Sequence, residues 1–302
     1  MNKSLIGLIA VSTVFLIYVT GFYTNFQSDS ALEVIDFSID KPASENSIPS
    51  NPDRIPLYGD LHVHTKYSFD AYIFGVTATP YDAYKYATGE AIKHPLGFDM
   101  KLREPLDFYA VTDHGFYMGM IENYADTSSE MSKKEWTKPM HNINRPENVN
   151  VESLGERADL FSSVLSQAIV QPYPYWHPKL WKAWFTNNIQ VALKSFDYDV
   201  HKSAWADVAN AAEEFNDPGN FTTFIGYEFT TSTEVEGGNL HRNVIFNSSN
   251  APIRPWTRID SLNPEDLWTW MDSLRDKGVD SLAMPHNSNG SNGQMFEVET
   301  FR

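Results

Sequence analysis

Tyr58-Gly59-Asp60-Leu61-His62-Val63-His64-Thr65-Lys66-Tyr67-Ser68-Phe69-Asp70 carries two histidines one residue apart within an alternating, strand-like pattern. Successive side chains of an extended backbone point to opposite faces, so His62 and His64 share a face and can grip one metal ion together. Leu61 and Val63 take the other face as core residues, while Thr65, Ser68 and Asp70 turn the chain polar at once. The stretch predicts a buried strand that opens into a polar loop. A lone His-x-His on a strand is more often a surface or core feature than a ligand pair, so the rest of the chain must decide.

Four further apolar segments end in comparable residues. Asp107-Phe108-Tyr109-Ala110-Val111-Thr112-Asp113-His114-Gly115 delivers Asp113 and His114, and Ile225-Gly226-Tyr227-Glu228-Phe229-Thr230 delivers Glu228. Asn239-Leu240-His241-Arg242-Asn243-Val244-Ile245-Phe246 adds His241, and Ser281-Leu282-Ala283-Met284-Pro285-His286-Asn287 adds His286. Singly, each reads as a hydrogen-bonded core histidine or a solvated carboxylate. Together they repeat the way barrel-type α/β enzymes assemble an active site at one face from strand ends.

These motifs, in this order from Tyr58 to Asn287, resemble the PHP superfamily, called after polymerase and histidinol phosphatase domains. Within it they resemble an uncharacterised exported branch known only as a domain of unknown function, DUF3604. The resemblance implies an α/β fold, a distorted seven-stranded (β/α) barrel, with two or three divalent ions that hydrolyse phosphate esters. It assigns His62 and His64 to one ion with Glu228 bridging to a neighbour, Asp70 and His114 to a second, and His241 and His286 with Glu228 to a third. Asp113 stands beside a ligand and is expected to orient it, since ligating imidazoles need an outer acceptor. PHP domains close the site with a late Asp-x-His, and none follows Asn287. The resemblance therefore implies a barrel incomplete at its C-terminus, in a truncated chain lacking the pair that completes two of the sites.

The chemistry so implied is hydrolysis by a metal-activated hydroxide at a di- or trinuclear centre, with the ions also polarising the phosphoryl oxygens. Mixed imidazole and carboxylate ligands suit zinc, manganese or iron alike. Arg242 is a candidate clamp for a phosphate oxygen, or else the partner of a surface ion pair. Asn287, Ser288 and Asn289 form a polar loop beside His286 that either meets substrate or caps a turn. A metal-dependent hydrolase of the amidohydrolase type also begins with His-x-His but usually wants a metal-bridging lysine, and none stands at a strand end here. A non-catalytic, metal-binding envelope module is the third reading.

Composition bounds these readings. The chain has 302 residues, 42% hydrophobic and 14% aromatic, enough for one sizeable core and an inserted subdomain. Its formal charge of −16 argues against a nucleic-acid surface, which needs clustered Lys and Arg. A small phosphoester remains compatible, because cations in the cleft dominate its local field. Zero cysteine excludes disulfides.

Lys3 precedes an uncharged run that is apolar-rich from Leu5 to Phe22, so residues 1–27 read as a signal peptide or a membrane anchor helix. The positive flank places the remainder outside the cytoplasm, periplasmic or anchored to the membrane. Residues 28–54, rich in Ser, Asn, Asp and Pro, read as a linker, and 55–302 as the metal-dependent hydrolase domain. Thr79 and Pro80 open a helix through Ala87, and Pro264 opens one ended by Gly278. Residues 115–219 read as a mostly helical insertion over the metal face, with helical patterns at 151–169, 178–195 and 204–215. Trp181, Trp184 and Phe185 at helical spacing read as packing first and as a stacking surface second. His141, His177 and His201 lie off the motifs and are expected to be structural or exposed.

Overall fold

The computed structural model describes residues 31–41, 54–167, 196–232 and 238–296. Its strands are β1 (Val34–Asp36), β2 (Gly59–Val63), β3 (Ile92–Lys93), β4 (Asp99–Met100), β5 (Phe108–Val111), β6 (Thr222–Thr223), β7 (Gly226–Phe229), β8 (Arg242–Phe246), β9 (Asn250–Pro252) and β10 (Ser281–Pro285). Its α-helices are α1 (Phe69–Ile73), α2 (Pro80–Ala87), α3 (Met120–Ala125), α4 (Leu154–Gln167), α5 (Tyr198–Phe215) and α6 (Pro264–Arg275).

The fold is mixed α/β with small sheets. One is parallel, in the order β2-β5-β6, and another is antiparallel, β10-β8-β7; β1-β9 and β3-β4 are two-stranded. The first two run into one another, because β6 and β7 lie on one course beside β5. Phe224 N–H donates to Tyr109 O at 3.2 Å, Glu228 N–H to Asp113 O at 2.9 Å and Gly115 N–H to Glu228 O at 2.9 Å. The sequence of neighbours is therefore β2, β5, β6 with β7, β8, β10, and among the described residues no barrel closes. Strand β2 consequently differs from the buried strand expected: among the described residues only β5 pairs with it, and Gly59, Asp60 and His62 are exposed.

Local chemistry explains the helices. Thr79 accepts from Asp82 N–H while the Asp82 carboxylate accepts from Thr79 N–H, and Pro80 sits at the first turn, so α2 starts where three signals agree. Asn263 caps α6 by accepting from Glu265 N–H at 3.1 Å, and Gly278 follows the helix at φ +83°. Asp197 accepts from Asp199 and Val200 N–H at the head of α5. The helical patterns at 151–169 and 204–215 appear as α4 and α5, whereas the one at 178–195, with Trp181, Trp184, Phe185 and His177, lies outside the described residues.

The main core packs α2, α5 and α6 against the strands through Tyr84, Trp205, Tyr227, Phe246, Leu267 and Trp270. Residues 31–41, read as linker, contribute to it. Val34–Asp36 pairs antiparallel with β9, Ala31 and Phe37 are buried, and Trp270 Nε1 donates to Ala31 O at 2.9 Å. Their few apolar side chains are diluted by the polar composition around them, and burial is governed by those few. A second core joins α1, α3 and α4 through Ile73, Phe116, Ile121, Tyr124 and Val164. Among the described residues no helix is long and apolar enough to cross a membrane; the run from Leu5 to Phe22 lies outside them.

Candidate metal centre

The ligand candidates come from separate strand ends that the topology brings to one edge. His62 belongs to β2 and His64 follows it, His114 follows β5, Glu228 lies near the end of β7, and His286 follows β10. His241 immediately precedes β8, which runs antiparallel to its neighbours, so its start lies at the same edge as their ends. An isolated parallel bridge joins His114 to Glu228, and His286 N–H donates to His241 O at 3.2 Å.

Glu228 is the centre, its side chain 1% exposed. His62 Nε2 lies 3.2 Å and His64 Nε2 3.0 Å from its Oε2. His241 Nδ1 lies 2.6 Å, His114 Nδ1 3.2 Å and His286 Nε2 3.4 Å from its Oε1. The imidazoles close a ring around it, with centroid separations of 5.2 Å (His62 to His64), 4.5 Å (His64 to His114), 5.6 Å (His114 to His241), 6.1 Å (His241 to His286) and 4.1 Å (His286 to His62). Asp70 reaches the ring from α1, 3.4 Å from both His64 Nδ1 and His114 Nε2.

This donor set exceeds what hydrogen bonding absorbs. A carboxylate oxygen has two lone-pair sites, yet Oε1 meets three ring nitrogens. Neither nitrogen of His286 has a hydrogen-bond partner, although both are buried. Orphaned, buried imidazole nitrogens around shared carboxylates are what cation ligation would satisfy. Among the described residues, three groups have ligand atoms close enough to hold an ion: His62 with His64 and Glu228, His64 with Asp70 and His114, and His114 with Glu228 and His241. His64 and His114 thus each stand between two groups, a sharing the linear assignment of ligands to ions did not contain.

The electrostatics follow from this crowding. Burial would raise the Glu228 carboxyl, but His114, His241 and His286 hold it far below the usual range. Burial likewise raises Asp70, and His114 and His64 more than reverse it. Burial pulls the His64 imidazole down, but its bonds to Asp70 and Glu228 lift it to about 10. His241, with weaker compensation, stays below the ordinary imidazole value. Glu228 and Asp70 therefore stay ionised, as carboxylate ligands to a cation must.

Asp113 and Arg242, expected to act beside the ligands, have other contacts in the structure. Asp113 is fully buried, and its carboxylate accepts from Thr65 N–H and, at 2.6 Å, from Thr65 Oγ1–H. It fixes the turn that follows His64, and burial pushes its carboxyl up to about 6. Arg242 follows His241 by one residue on a strand, so it points to the opposite side. Its Nε donates to Leu240 O at 3.0 Å, its guanidinium lies 4.9 Å over the Trp268 ring, and it is 4% exposed. Among the described residues no carboxylate pairs with Arg242, and its place on the strand turns it away from the ligand ring.

Sequence reading passed over three supports. Thr230 Oγ1 bonds His114 Nδ1, and Thr230 stands two residues from Glu228, so strand periodicity could have found it. Asn243 Nδ2 donates to Leu61 O at 2.7 Å, tying β8 across to β2. Phe69 packs 4.9 Å from His114 and stacks on Phe161 of α4 at 5.7 Å, so the helical insertion backs the ring. Only glycine serves after His114, since a Cβ at Gly115 would lie 2.7 Å from Tyr227 Cδ2. Of the off-motif histidines, His141 Nε2 bonds Ser132 O at 2.9 Å and His201 is buried. Asn287, at φ +58°, opens a short exposed turn with Ser288 and Asn289.

The model of a family of proteins of unknown function, DUF3604, matches residues 51–302. No curated protein and no solved structure matches the chain.

Proposed function

This chain belongs to the DUF3604 family, and from that premise we propose that it is an exported divalent-metal-dependent hydrolase of the PHP type, acting on phosphoesters. The observation that carries the reading is Glu228: five imidazoles converge on one buried carboxylate that cannot accept from them all. His62 and His64 would hold an ion with one oxygen of Glu228, and His114 and His241 with the other, with Asp70 and His286 completing the set. Bound ions of the zinc, manganese or iron type would supply an acidified water and stabilise charge on a phosphoryl group.

The protein's own part is to hold these donors still and keep one side open. His62 is the most open member, its side chain 41% exposed against 7% for His114, so substrate enters over β2. The amidohydrolase alternative wants a bridging lysine. Lys66, the lysine of this loop, pairs instead with Glu122 at 2.8 Å, and the shared carboxylate of Glu228 supports the PHP reading.

Metal analysis of the full chain, followed by a screen of phosphomonoesters, phosphodiesters and carboxylic esters, tests the proposal. Bound metal and metal-dependent release of phosphate are expected. A protein that takes up no divalent ion, or whose His62→Ala variant keeps metal affinity and activity unchanged, overturns it. Export rests on Lys3 ahead of the apolar run, and recovery of the full chain in the cytoplasmic fraction would refute that part.

A further inference from the structure

Ser68 is fully buried, and its hydroxyl lies at the crossing of three polar groups. Its Oγ is 2.5 Å from Asp70 Oδ1, 3.0 Å from His64 Nδ1 and 3.3 Å from His114 N–H. Two oxygens 2.5 Å apart need a proton between them, and an ionised carboxylate has none to give. The hydroxyl therefore donates to Asp70. Having spent its one proton, Oγ can only accept, and its two lone pairs meet the His114 amide and His64 Nδ1. His64 Nδ1 must then carry a proton.

The other acceptor for that proton, Asp70 Oδ1, is the more distant and the more crowded. Asp70 Oδ1 already takes the Ser68 hydroxyl and, at 2.7 Å, Ala71 N–H, and it stands 3.4 Å from His64 Nδ1. Both its lone-pair sites are used at shorter range. With Nδ1 committed as a donor, His64 can offer a lone pair through Nε2 alone, the atom 3.0 Å from Glu228 Oε2.

We propose that Ser68 is a positioning residue that fixes the protonated nitrogen of His64. It thereby withholds Nδ1 from the ligand group formed with Asp70 and His114 and leaves Nε2 to face Glu228. This inference rests on the metal-centre reading for its consequence, though the position of the proton does not depend on it. Ligating imidazoles held through the other ring nitrogen are the general pattern that the relay fits.

The test is histidine ¹⁵N NMR on the full chain, metal-free and loaded with Zn²⁺, with Zn²⁺ affinity measured in parallel. The expected result is a proton on His64 Nδ1 in both states, with zinc on Nε2. The Ser68→Ala variant is expected to lose that Nδ1 proton's protection from exchange and to bind zinc roughly 10- to 100-fold more weakly. Ser68→Cys, which keeps a weak donor and acceptor, is expected to fall between the two. Zinc on Nδ1, or an unprotonated Nδ1 in the wild type, overturns the proposal whether or not either variant folds. A wild type that binds no zinc would sink the metal reading, yet the metal-free spectrum would still decide where the His64 proton lies.

Discussion

Acid should weaken the helix that braces the metal-bearing loop, through one residue. His201 on α5 is fully buried, its ring 5.1 Å from that of Phe196, and it hydrogen-bonds the backbone of Met118, four residues after His114. Burial pushes its imidazole down from 6.5 to about 3, and the cations Arg254 and Lys202 push the same way. The unfolded chain therefore takes up the proton first. Stability is fully present above the unfolded value and is lost as pH falls from about 6.5 toward 3. Between about pH 7.5 and pH 5 the loss through this residue is about 2 kcal/mol, approaching about 5 kcal/mol in stronger acid. The assay is urea unfolding with chelator present at both pH values, comparing the wild type with His201→Gln, which keeps a donor but cannot titrate. The wild type is expected to lose more than the variant on acidification, by a midpoint on the order of 1 M urea. Equal losses in the two proteins would refute a neutral, buried His201.

Other perturbations separate the ring from its surroundings. Glu228→Gln, which removes the shared charge and keeps the volume, is expected to weaken divalent-ion binding by at least about 100-fold, read by metal titration. Thr230→Val deletes only the hydroxyl on His114 Nδ1 and is expected to cost roughly 10-fold in the same titration, with little change in unfolding midpoint. Arg242→Met fills the same space over Trp268 and is expected to leave metal content and turnover unchanged; a loss of turnover without loss of metal would mean that Arg242 reaches substrate after all.

How far the sequence could be read depended on whether its signals were local. Helix α2 is local in every part: the Thr79 cap, Pro80 and Asp82 lie within four positions, so its start was legible. His62 and His64 were legible as a pair because two-residue alternation needs no knowledge of the partner strand. Arg242 follows His241 by one position, and the same alternation turns it to the opposite side. The strand within the expected linker was hidden because Ala31, Val34 and Phe37 are sparse, and partners far along the chain, β9 and Trp270 among them, make them core.

The sequence by itself determined which side chains can meet a cation and that each stands at the end of an apolar segment. Those properties are set by residue type and by spacing over a few positions. Only the tertiary structure decided that the ring has one centre, that His64 and His114 each stand between two ligand groups, and that the Asp113 carboxylate bonds Thr65. These depend on strands far apart in the chain meeting at one edge. Glu228 lies 166 residues from His62, and the 3.2 Å between them is set by register and packing, which spacing along the chain does not encode.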